Sequence, residues 1–350
     1  MFARVTPLRV LGLGLLLTLT GCDHSEPYAT EQPEPLGPPS SALPRQLTFN
    51  PGDDRAPNFS GSRVTFHRLE PRAAFKAPCV AILPPDGGTL EGEFCAPPPS
   101  PADTFVSSWL EPALSPDGTR LAFVWRRSPR VSALSAWSYD LVVSAVDSPA
   151  VPLASRTLVR WLPGDRLVNT ALELEWTSPT GIRFLAALDS VFKVKGGGAA
   201  RFTDTVTVPR ALMEFDLSTD TIRVVPGGDE IVAWAPGAST LWIVPDSNPT
   251  LLLALGPDGS RTAGGTWPVP VTDIAESGGL VAATAALDVL FWLLPTTGQG
   301  GQVLLPGSAR RLSAGASGRV VLEIERRGGD EFGAPANLWL FALPGGQTVR

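Results

Sequence analysis

Short runs of apolar residues alternate with polar turn segments along most of the chain, and this pattern predicts β-strands joined by hairpins. The clearest copy lies at residues 112–124, where an apolar strand reaches the turn Ser115-Pro116-Asp117-Gly118 and a second apolar strand follows. Proline presets the backbone for the first turn position, and glycine accepts the positive φ that closes a hairpin. With 35 glycines and 36 prolines among 350 residues, the chain is rich in turns, which disfavours long helices.

The same hairpin recurs in degraded form along the chain. The further copies cover residues 57–66, 159–168, 232–242, 274–281 and 311–321. A second hairpin signal follows most copies, as at residues 141–147, 212–218, 290–295 and 338–344. Two hairpins make a four-stranded antiparallel sheet, and sheets of this size bury both faces only when they stack around an axis. The repeats therefore predict an all-β, six-bladed β-propeller over residues 45–350, at about 51 residues per blade.

Two insertions explain why the predicted blades are, on average, longer than a typical propeller blade. One is a cysteine-containing hairpin in the first unit, and the other is residues 177–209 in the third unit. The alternative is a propeller of seven blades, with the additional blade inside residues 177–209.

The repeat resembles the WD-like repeat of TolB-type six-bladed β-propellers. The residues that carry the resemblance are Leu47-Thr48, Asp54, Pro57, Phe59-Ser60 and residues 64–66, then residues 115–118 and 121–123. The resemblance implies a six-bladed ring over the whole folded region. TolB-type proteins also have an N-terminal α/β domain and bind a peptidoglycan-associated lipoprotein, but residues 23–44 are too few for that domain. Only the propeller is therefore carried over to this chain.

The two ends of the folded region are expected to meet. The last unit stops at residues 344–350, where an outermost strand should follow, and residues 45–49 resemble that missing strand. If residues 45–49 pair with the last blade, the N-terminal strand closes the ring and leaves no open sheet edge.

The N-terminal segment has the pattern of a secretory signal. Arg4 and Arg9 precede an apolar run of about ten residues, roughly half the length of a membrane span. The run ends in Leu19-Thr20-Gly21-Cys22, which resembles the lipobox of bacterial lipoproteins. This resemblance implies that residues 1–21 are a signal peptide and that Cys22 is lipidated, which would anchor the protein stably to a membrane. An ordinary signal peptide with a chance cysteine is the alternative.

Residues 22–44 are predicted to be the lipidated cysteine and an extended tether. Six prolines lie among serine, glutamate, glutamine and glycine, and almost nothing in this segment could be buried. These features predict a cell-envelope protein that faces the periplasm or the exterior and contacts a membrane through Cys22. The choice between inner and outer membrane stays open.

The two remaining cysteines are predicted to form a disulfide. The turn Asp86-Gly87-Gly88 is centred on the midpoint between Cys79 and Cys95, so a symmetric hairpin places the two sulfur atoms opposite each other. The predicted compartment permits disulfides. A metal-binding pair or reactive thiols are the alternatives, and neither a histidine nor a third cysteine lies nearby in the sequence.

The composition and motifs offer little for catalysis. The net charge of −6, from 28 basic and 34 acidic residues, argues against a nucleic-acid partner. His24 and His67 are the only histidines, and no Gly-x-Ser-x-Gly motif is present. Acidic residues such as Asp117 and Asp258 are interpreted as turn caps. We therefore predict no catalytic, metal-binding or cofactor-binding residue and no cofactor.

Two functions are compatible with these features. The first is a lipid-anchored, non-enzymatic scaffold that binds an envelope protein, a polymer or another ligand across one face of the ring. The alternative is a propeller hydrolase or lyase with a metal in the central channel. That alternative requires several carboxylates or amides from different blades to converge on the axis, which a sequence cannot reveal.

Overall fold

The computed structural model describes the chain in ten stretches. These are residues 44–49, 52–69, 78–97, 105–129, 138–162, 165–193, 210–237, 240–315, 318–325 and 336–344. The predictions for the signal peptide, Cys22, the tether up to residue 43 and His24 lie outside them. The described stretches form 25 β-strands and no α-helix, and hence no helix that could cross a membrane.

The strands form six antiparallel sheets, which are the blades of a six-bladed β-propeller. Blade 1 contains β2 (Asp53–Ser60), β3 (Arg63–Leu69), β4 (Cys79–Leu83) and β5 (Gly92–Phe94). Blade 2 contains β6 (Phe105–Leu114), β7 (Arg120–Pro129), β8 (Ser138–Ala145) and β9 (Pro152–Thr157). Blade 3 contains β10 (Val159–Leu162), β11 (Asp165–Trp176), β12 (Gly181–Lys193), β13 (Ala211–Asp216) and β14 (Thr221–Asp229).

The second half of the ring repeats the four-stranded pattern. Blade 4 contains β15 (Ile231–Pro236), β16 (Leu241–Pro245), β17 (Leu251–Leu255) and β18 (Arg261–Thr266). Blade 5 contains β19 (Asp273–Ser277), β20 (Leu280–Thr284), β21 (Val289–Leu294) and β22 (Gln299–Leu304). Blade 6 contains β23 (Ser308–Ala314), β24 (Arg319–Glu325), β25 (Ala336–Ala342) and, from the other end of the chain, β1 (Arg45–Gln46).

The ring closes as predicted. Strand β1 pairs antiparallel with β25, with Arg45 opposite Leu340 and Gln46 opposite Trp339. The pairing continues beyond β1, because the Leu47 N–H donates to the Leu338 carbonyl at 2.8 Å and Thr48 Oγ1 accepts from the Leu338 N–H at 3.0 Å. The first and last strands of the ring thus share one sheet, which removes the open edge.

The third blade corrects the sequence analysis in two places. A seventh blade inside residues 177–209 is wrong, because Gly181–Lys193 is β12 of the third blade. The hairpin predicted at residues 159–168 is β10–β11, an extra strand added to that blade, rather than the start of its repeat. The true counterpart of the Ser115 turn is Ser178-Pro179-Thr180-Gly181, which joins β11 to β12. Residues 194–209 lie outside the described stretches.

The disulfide prediction is confirmed. Cys79 and Cys95 are bonded, with their Cα atoms 4.2 Å apart. The register of β4 and β5 places Val80 opposite Phe94 and Ile82 opposite Gly92, as a hairpin centred on residue 87 requires.

The core lies between the blades, where apolar sheet faces pack against each other. One such cluster joins Leu47 and Leu338 of the closing blade to Phe59 and Phe66 of blade 1. Four tryptophans, Trp109, Trp176, Trp234 and Trp267, are buried in this core. The side chains of Trp137 and Trp161 lie outside the described part.

Candidate functional site at the centre of the ring

The innermost strands of the first three blades each carry a β-bulge that faces the ring axis. The bulges interrupt the registers between Arg55 and Asn58, Leu110 and Ala113, and Leu172 and Glu175. At these bulges Ala56, Glu111 and Glu173 have positive φ angles of 52°, 51° and 54°. Residues other than glycine rarely adopt this conformation, and strained backbone of this kind clusters at functional sites. The two glutamates at the bulges line the central cavity.

All six blades contribute to this cavity, which has a volume of about 140 Å³. That is room for several water molecules or a small ligand group. Its lining includes Asn58 (blade 1), Glu111 (blade 2), Glu173 and Glu175 (blade 3), Trp234 (blade 4), Asp273 (blade 5) and Arg311 (blade 6). With Glu276 of blade 5, five carboxyl groups thus line the cavity beside one guanidinium group.

Arg311 links three blades through Glu111. Its Nη1 and Nη2 atoms donate to Glu111 Oε2 and Oε1 at 3.1 and 3.3 Å, and its Nη1 atom lies 3.9 Å from Glu173 Oε1. Glu111 Oε2 also accepts from the Glu173 N–H at 3.0 Å. Burial acts to lower the pKa of Arg311, but the carboxylates around it raise that pKa above its ordinary value. Arg311 is therefore a permanent positive charge inside the cavity.

Asp273 holds neighbouring blades together. Its Oδ1 and Oδ2 atoms accept from the Ile274 and Leu312 N–H groups at 2.8 and 2.9 Å, so both oxygens are occupied by backbone donors. Burial raises its pKa to about 7, although Arg311 and the two backbone donors act in the opposite direction. Glu323 makes a comparable link, because its Oε2 atom accepts from the Ala56 N–H at 2.9 Å.

Glu173, Glu175 and Asn58 are less fully engaged. Burial raises the pKa of Glu173 well above its usual value, and burial raises that of Glu175 to about 7. Asn58 Nδ2 donates to Glu175 Oε2 at 2.5 Å and to the Leu174 carbonyl at 3.0 Å. Within the described stretches, Glu173 Oε2 and Asn58 Oδ1 are buried acceptors that no donor satisfies. Such acceptors destabilise the fold until a ligand supplies a donor or a positive charge.

The acidic groups of the cavity are not gathered into a ready-made metal cage. Among the described histidine, cysteine, aspartate and glutamate side chains, the group with three ligand atoms within 4.8 Å of one another is Cys79, Glu93 and Cys95. Its cysteines are bonded to each other, so their sulfur atoms are not thiolate ligands. An ion in the central cavity would have to use the amide oxygen of Asn58 or water molecules beside the carboxylates.

None of these cavity residues is predicted as a site residue from the sequence. Glu111, Glu173 and Glu175 nevertheless lie within apolar strands, and a charged residue in such a strand is a usable signal for an inward-facing functional group. His67 is no base: burial first, and then Arg311, Arg55 and Arg126, lower its pKa to about 3. The turn caps are confirmed, since Asp117 accepts from the Ser115 hydroxyl and the Thr119 N–H, and Asp258 accepts from Ser260.

The molecule is thus a six-bladed propeller with an acidic cavity on its axis. No protein-family model and no curated protein matches the sequence. Among solved structures, the chain is similar to a gluconolactonase from Xanthomonas campestris at 13% identity and a TM-score of 0.50, covering 86% of this chain and 90% of that one. It is also similar to a luciferin-regenerating enzyme at 11% identity and a TM-score of 0.51, covering 86% of this chain and 96% of that one. At these identities the likeness establishes the fold.

The prediction that this protein is not an enzyme, which was drawn from sequence features alone, is wrong. Both of the similar propellers are named as enzymes, so the fold gives no ground for a non-enzymatic assignment. The carboxylates and amide that a propeller enzyme needs on its axis, which the sequence could not reveal, are present in the cavity.

Proposed function

We propose that the protein is a propeller hydrolase whose reaction takes place in the central cavity. The observation that carries the proposal is the convergence of Glu173, Glu175, Asn58 and Arg311 from three blades on one small cavity. Enclosed clusters of titratable groups with shifted pKa values are typical of catalytic sites.

The roles follow from the hydrogen bonds of each group. Glu175 has a pKa of about 7, so it exchanges a proton readily near neutral pH and is suited to remove a proton from an attacking water molecule. Asn58 holds the Glu175 carboxyl group through its Nδ2 atom. Arg311 is fixed by Glu111 and supplies positive charge where an acyl oxygen becomes negative. The water oxygen bonds to the acyl carbon, the carbon–oxygen bond to the leaving group breaks, and the proton held by Glu175 passes to the departing oxygen.

The free oxygen atoms also fit a hard divalent cation. Carboxylate and amide oxygens are the ligands that calcium and magnesium prefer, and Glu173 Oε2 and Asn58 Oδ1 are both buried without a described donor. Asn58 and Glu173 are the residues that would hold such an ion. When bound there, it would supply Lewis-acid polarisation of the substrate.

Hydrolysis of small acyl compounds tests the proposal. We would assay 4-nitrophenyl acetate and δ-valerolactone, with the purified protein in chelator and then with calcium, magnesium, manganese or zinc added. Glu175→Gln keeps the size of the side chain but cannot exchange the proton, so kcat/KM should fall by about 10²-fold or more. Asp258→Asn is the matched control, because this acidic residue lies in an exposed turn of blade 4, and it should stay within about twofold of wild type.

Two outcomes would overturn the proposal. One is the absence of hydrolysis of either compound under every metal condition. The other is hydrolysis that Glu175→Gln and Asp258→Asn affect equally, with both variants folded by circular dichroism.

We also propose that Cys22 is lipidated and that the protein is anchored in the cell envelope. Support comes from the lipobox-like Leu19-Thr20-Gly21-Cys22 and from the proline-rich segment that follows it. Wild-type protein should partition into the detergent phase of a Triton X-114 extraction and carry acyl chains by mass spectrometry. Cys22→Ser should do neither, and an unmodified wild-type Cys22 would refute the proposal. Binding to an envelope protein or polymer stays a prediction.

A further inference from the structure

A groove of about 400 Å³ lies between blades 4 and 5. This volume falls within the range of ordinary ligand pockets. Blade 4 supplies one wall of the groove and blade 5 supplies the other. Every residue that lines it is at least partly exposed, so the groove is a feature of the surface and not a gap in the core between the two blades.

The indole ring of Trp242 forms the wall on the side of blade 4. Trp242 lies on β16, opposite Ala235 of β15 and Ala254 of β17, so its neighbours on both adjacent strands are small. A Cβ atom at Gly264 of β18 would lie 2.4 Å from Trp242 Cζ3, which means that the ring covers this glycine. The ring therefore lies along the face of the sheet, from β16 towards β18. One ring face is turned to the blade and the other to the groove, where Trp242 remains partly exposed.

A donor and an acceptor lie beside this ring. Glu276 Oε1 accepts from the Gly279 N–H at 2.6 Å, which holds the carboxylate in place. A Cβ atom at Gly237 would lie 3.3 Å from Trp242 Nε1 and 3.4 Å from Glu276 Oε2. The absence of a side chain at Gly237 thus leaves an N–H donor and a carboxylate oxygen close to one point. A ligand hydroxyl group at that point can accept from the indole and donate to the carboxylate.

The remaining polar groups of the groove are hydroxyl groups. They belong to Thr240, Thr262 and Thr296, and each can both donate and accept a hydrogen bond. Among the described residues that line the groove there is no lysine, arginine or histidine, and the charged residue is Glu276. The lining therefore favours a ligand rich in hydroxyl groups and disfavours a phosphate or another anion.

We propose that this groove binds a saccharide, with one sugar ring stacked on Trp242. A sugar ring combines the two chemistries that the groove offers. Its C–H face carries partial positive charge and is attracted to the negative face of the indole. Its hydroxyl groups pair with the threonine hydroxyls, with Glu276 Oε2 and with Trp242 Nε1. This binding site goes beyond the proposed hydrolysis and does not depend on it.

Other ligand classes use the lining less completely. An acyl chain would bury the Glu276 carboxylate and the threonine hydroxyls without partners, which is unfavourable. An extended peptide is commonly bound along the edge of a sheet, whereas Trp242 and Gly264 present the face of blade 4. A quaternary ammonium group suits an indole ring beside a carboxylate, but it would leave the three hydroxyl groups unused. Choline is therefore the competing probe.

Isothermal titration calorimetry and saturation-transfer NMR test the proposal, with N-acetylchitotetraose, cellotetraose, maltotetraose and choline as probes. We expect at least one of the three saccharides to bind, with the strongest saturation transfer to the C–H protons of a sugar ring. Thr262→Arg should weaken this binding at least tenfold, because the long side chain enters the groove. Thr266→Arg is the matched control, since Thr266 is an exposed threonine on the same strand, outside the lining, and it should bind as wild type does.

Two further variants locate the bound sugar. Trp242→Ala removes the stacking surface and should weaken binding at least tenfold; if thermal melts show that it is unfolded, the two threonine variants decide. Glu175→Gln, in the central cavity, should bind saccharide as wild type does. Binding of no saccharide, binding of choline alone, or equal binding by Thr262→Arg and Thr266→Arg would overturn the proposal. Loss of saccharide binding in folded Glu175→Gln would also overturn it, because the sugar would then lie in the central cavity.

Discussion

Ring closure by the N-terminal strand is the architectural feature with the most direct energetic test. Leu47 is 1% exposed, and it packs with Phe59 and Phe66 of blade 1 and with Leu338 of blade 6. Leu47→Ala removes three buried carbon atoms and leaves a cavity at the seam, and substitutions of this kind lower the free energy of unfolding by about 2–5 kcal/mol. Leu304→Ala on the surface of blade 5 should change it by less than about 0.5 kcal/mol.

A double-mutant cycle separates loss of the closing contact from general loss of core. Leu47 and Leu338 belong to one cluster and are joined by a backbone hydrogen bond of 2.8 Å, so the two alanine substitutions should couple by about 1 kcal/mol. Urea unfolding gives the four free energies, with an unchanged slope as the check on two-state behaviour. Effects that add to within about 0.3 kcal/mol would mean that the first strand does not lie against β25.

Three further predictions concern the hairpin disulfide and two buried groups. Replacing Cys79 and Cys95 with serine should lower the free energy of unfolding by about 3 kcal/mol or less, given a sequence separation of 16, and an unchanged urea midpoint would contradict this. The NMR signals of the His67 ring protons should not shift between pH 5 and 8, because the pKa of the buried imidazole, about 3, keeps the ring neutral in that range. A titration midpoint near pH 6.5 would be incompatible with this burial. The pKa of Glu175 is raised from 4.5 to about 7, so the folded state holds this proton more tightly, and the stability it contributes is lost as the pH rises through about 7. In chelator, the stability of Glu175→Gln relative to wild type should therefore be greater at pH 8 than at pH 5. An equal difference in stability at both pH values would count against the raised pKa of Glu175.

The fold could be predicted because its signals are local. Turn chemistry such as Ser115-Pro116-Asp117-Gly118 specifies a hairpin from four neighbouring residues, and its repetition specifies the blades. The same logic is wrong at blade 3, where it predicts the repeat hairpin at residues 159–168 and does not identify the turn Ser178-Pro179-Thr180-Gly181. Threonine in place of aspartate weakened the match, although the proline and the final glycine keep the turn geometry. Glu175 lies just before this turn, so missing the turn also hid one of the site residues.

The site could not be predicted in the same way, because its members are distant in sequence. Glu111 and Arg311 are 200 residues apart, and Glu111 and Glu173 are 62 residues apart, yet both pairs are hydrogen-bonded. Taken alone, each of these residues is only a charged residue in or beside a predicted strand. Only the closed ring, with its bulged inner strands, brings these positions to one axis, and a single sequence carries no measure of which blade positions face each other.

The carboxylates near the ring axis therefore hold the blades together, in addition to the role in hydrolysis that we propose. Glu323 accepts from Ala56, Asp273 from Leu312, and Glu111 from Glu173, so each acidic group joins one blade to the backbone of another. Burying these acids raises several of their pKa values, which disfavours the charged form and weakens the fold at neutral pH. A fold that only needed to close would gain from apolar residues at these positions. The carboxyl groups that line the cavity with Arg311, two of them on strained bulges, are the physical reason to place the proposed function on the axis of the ring.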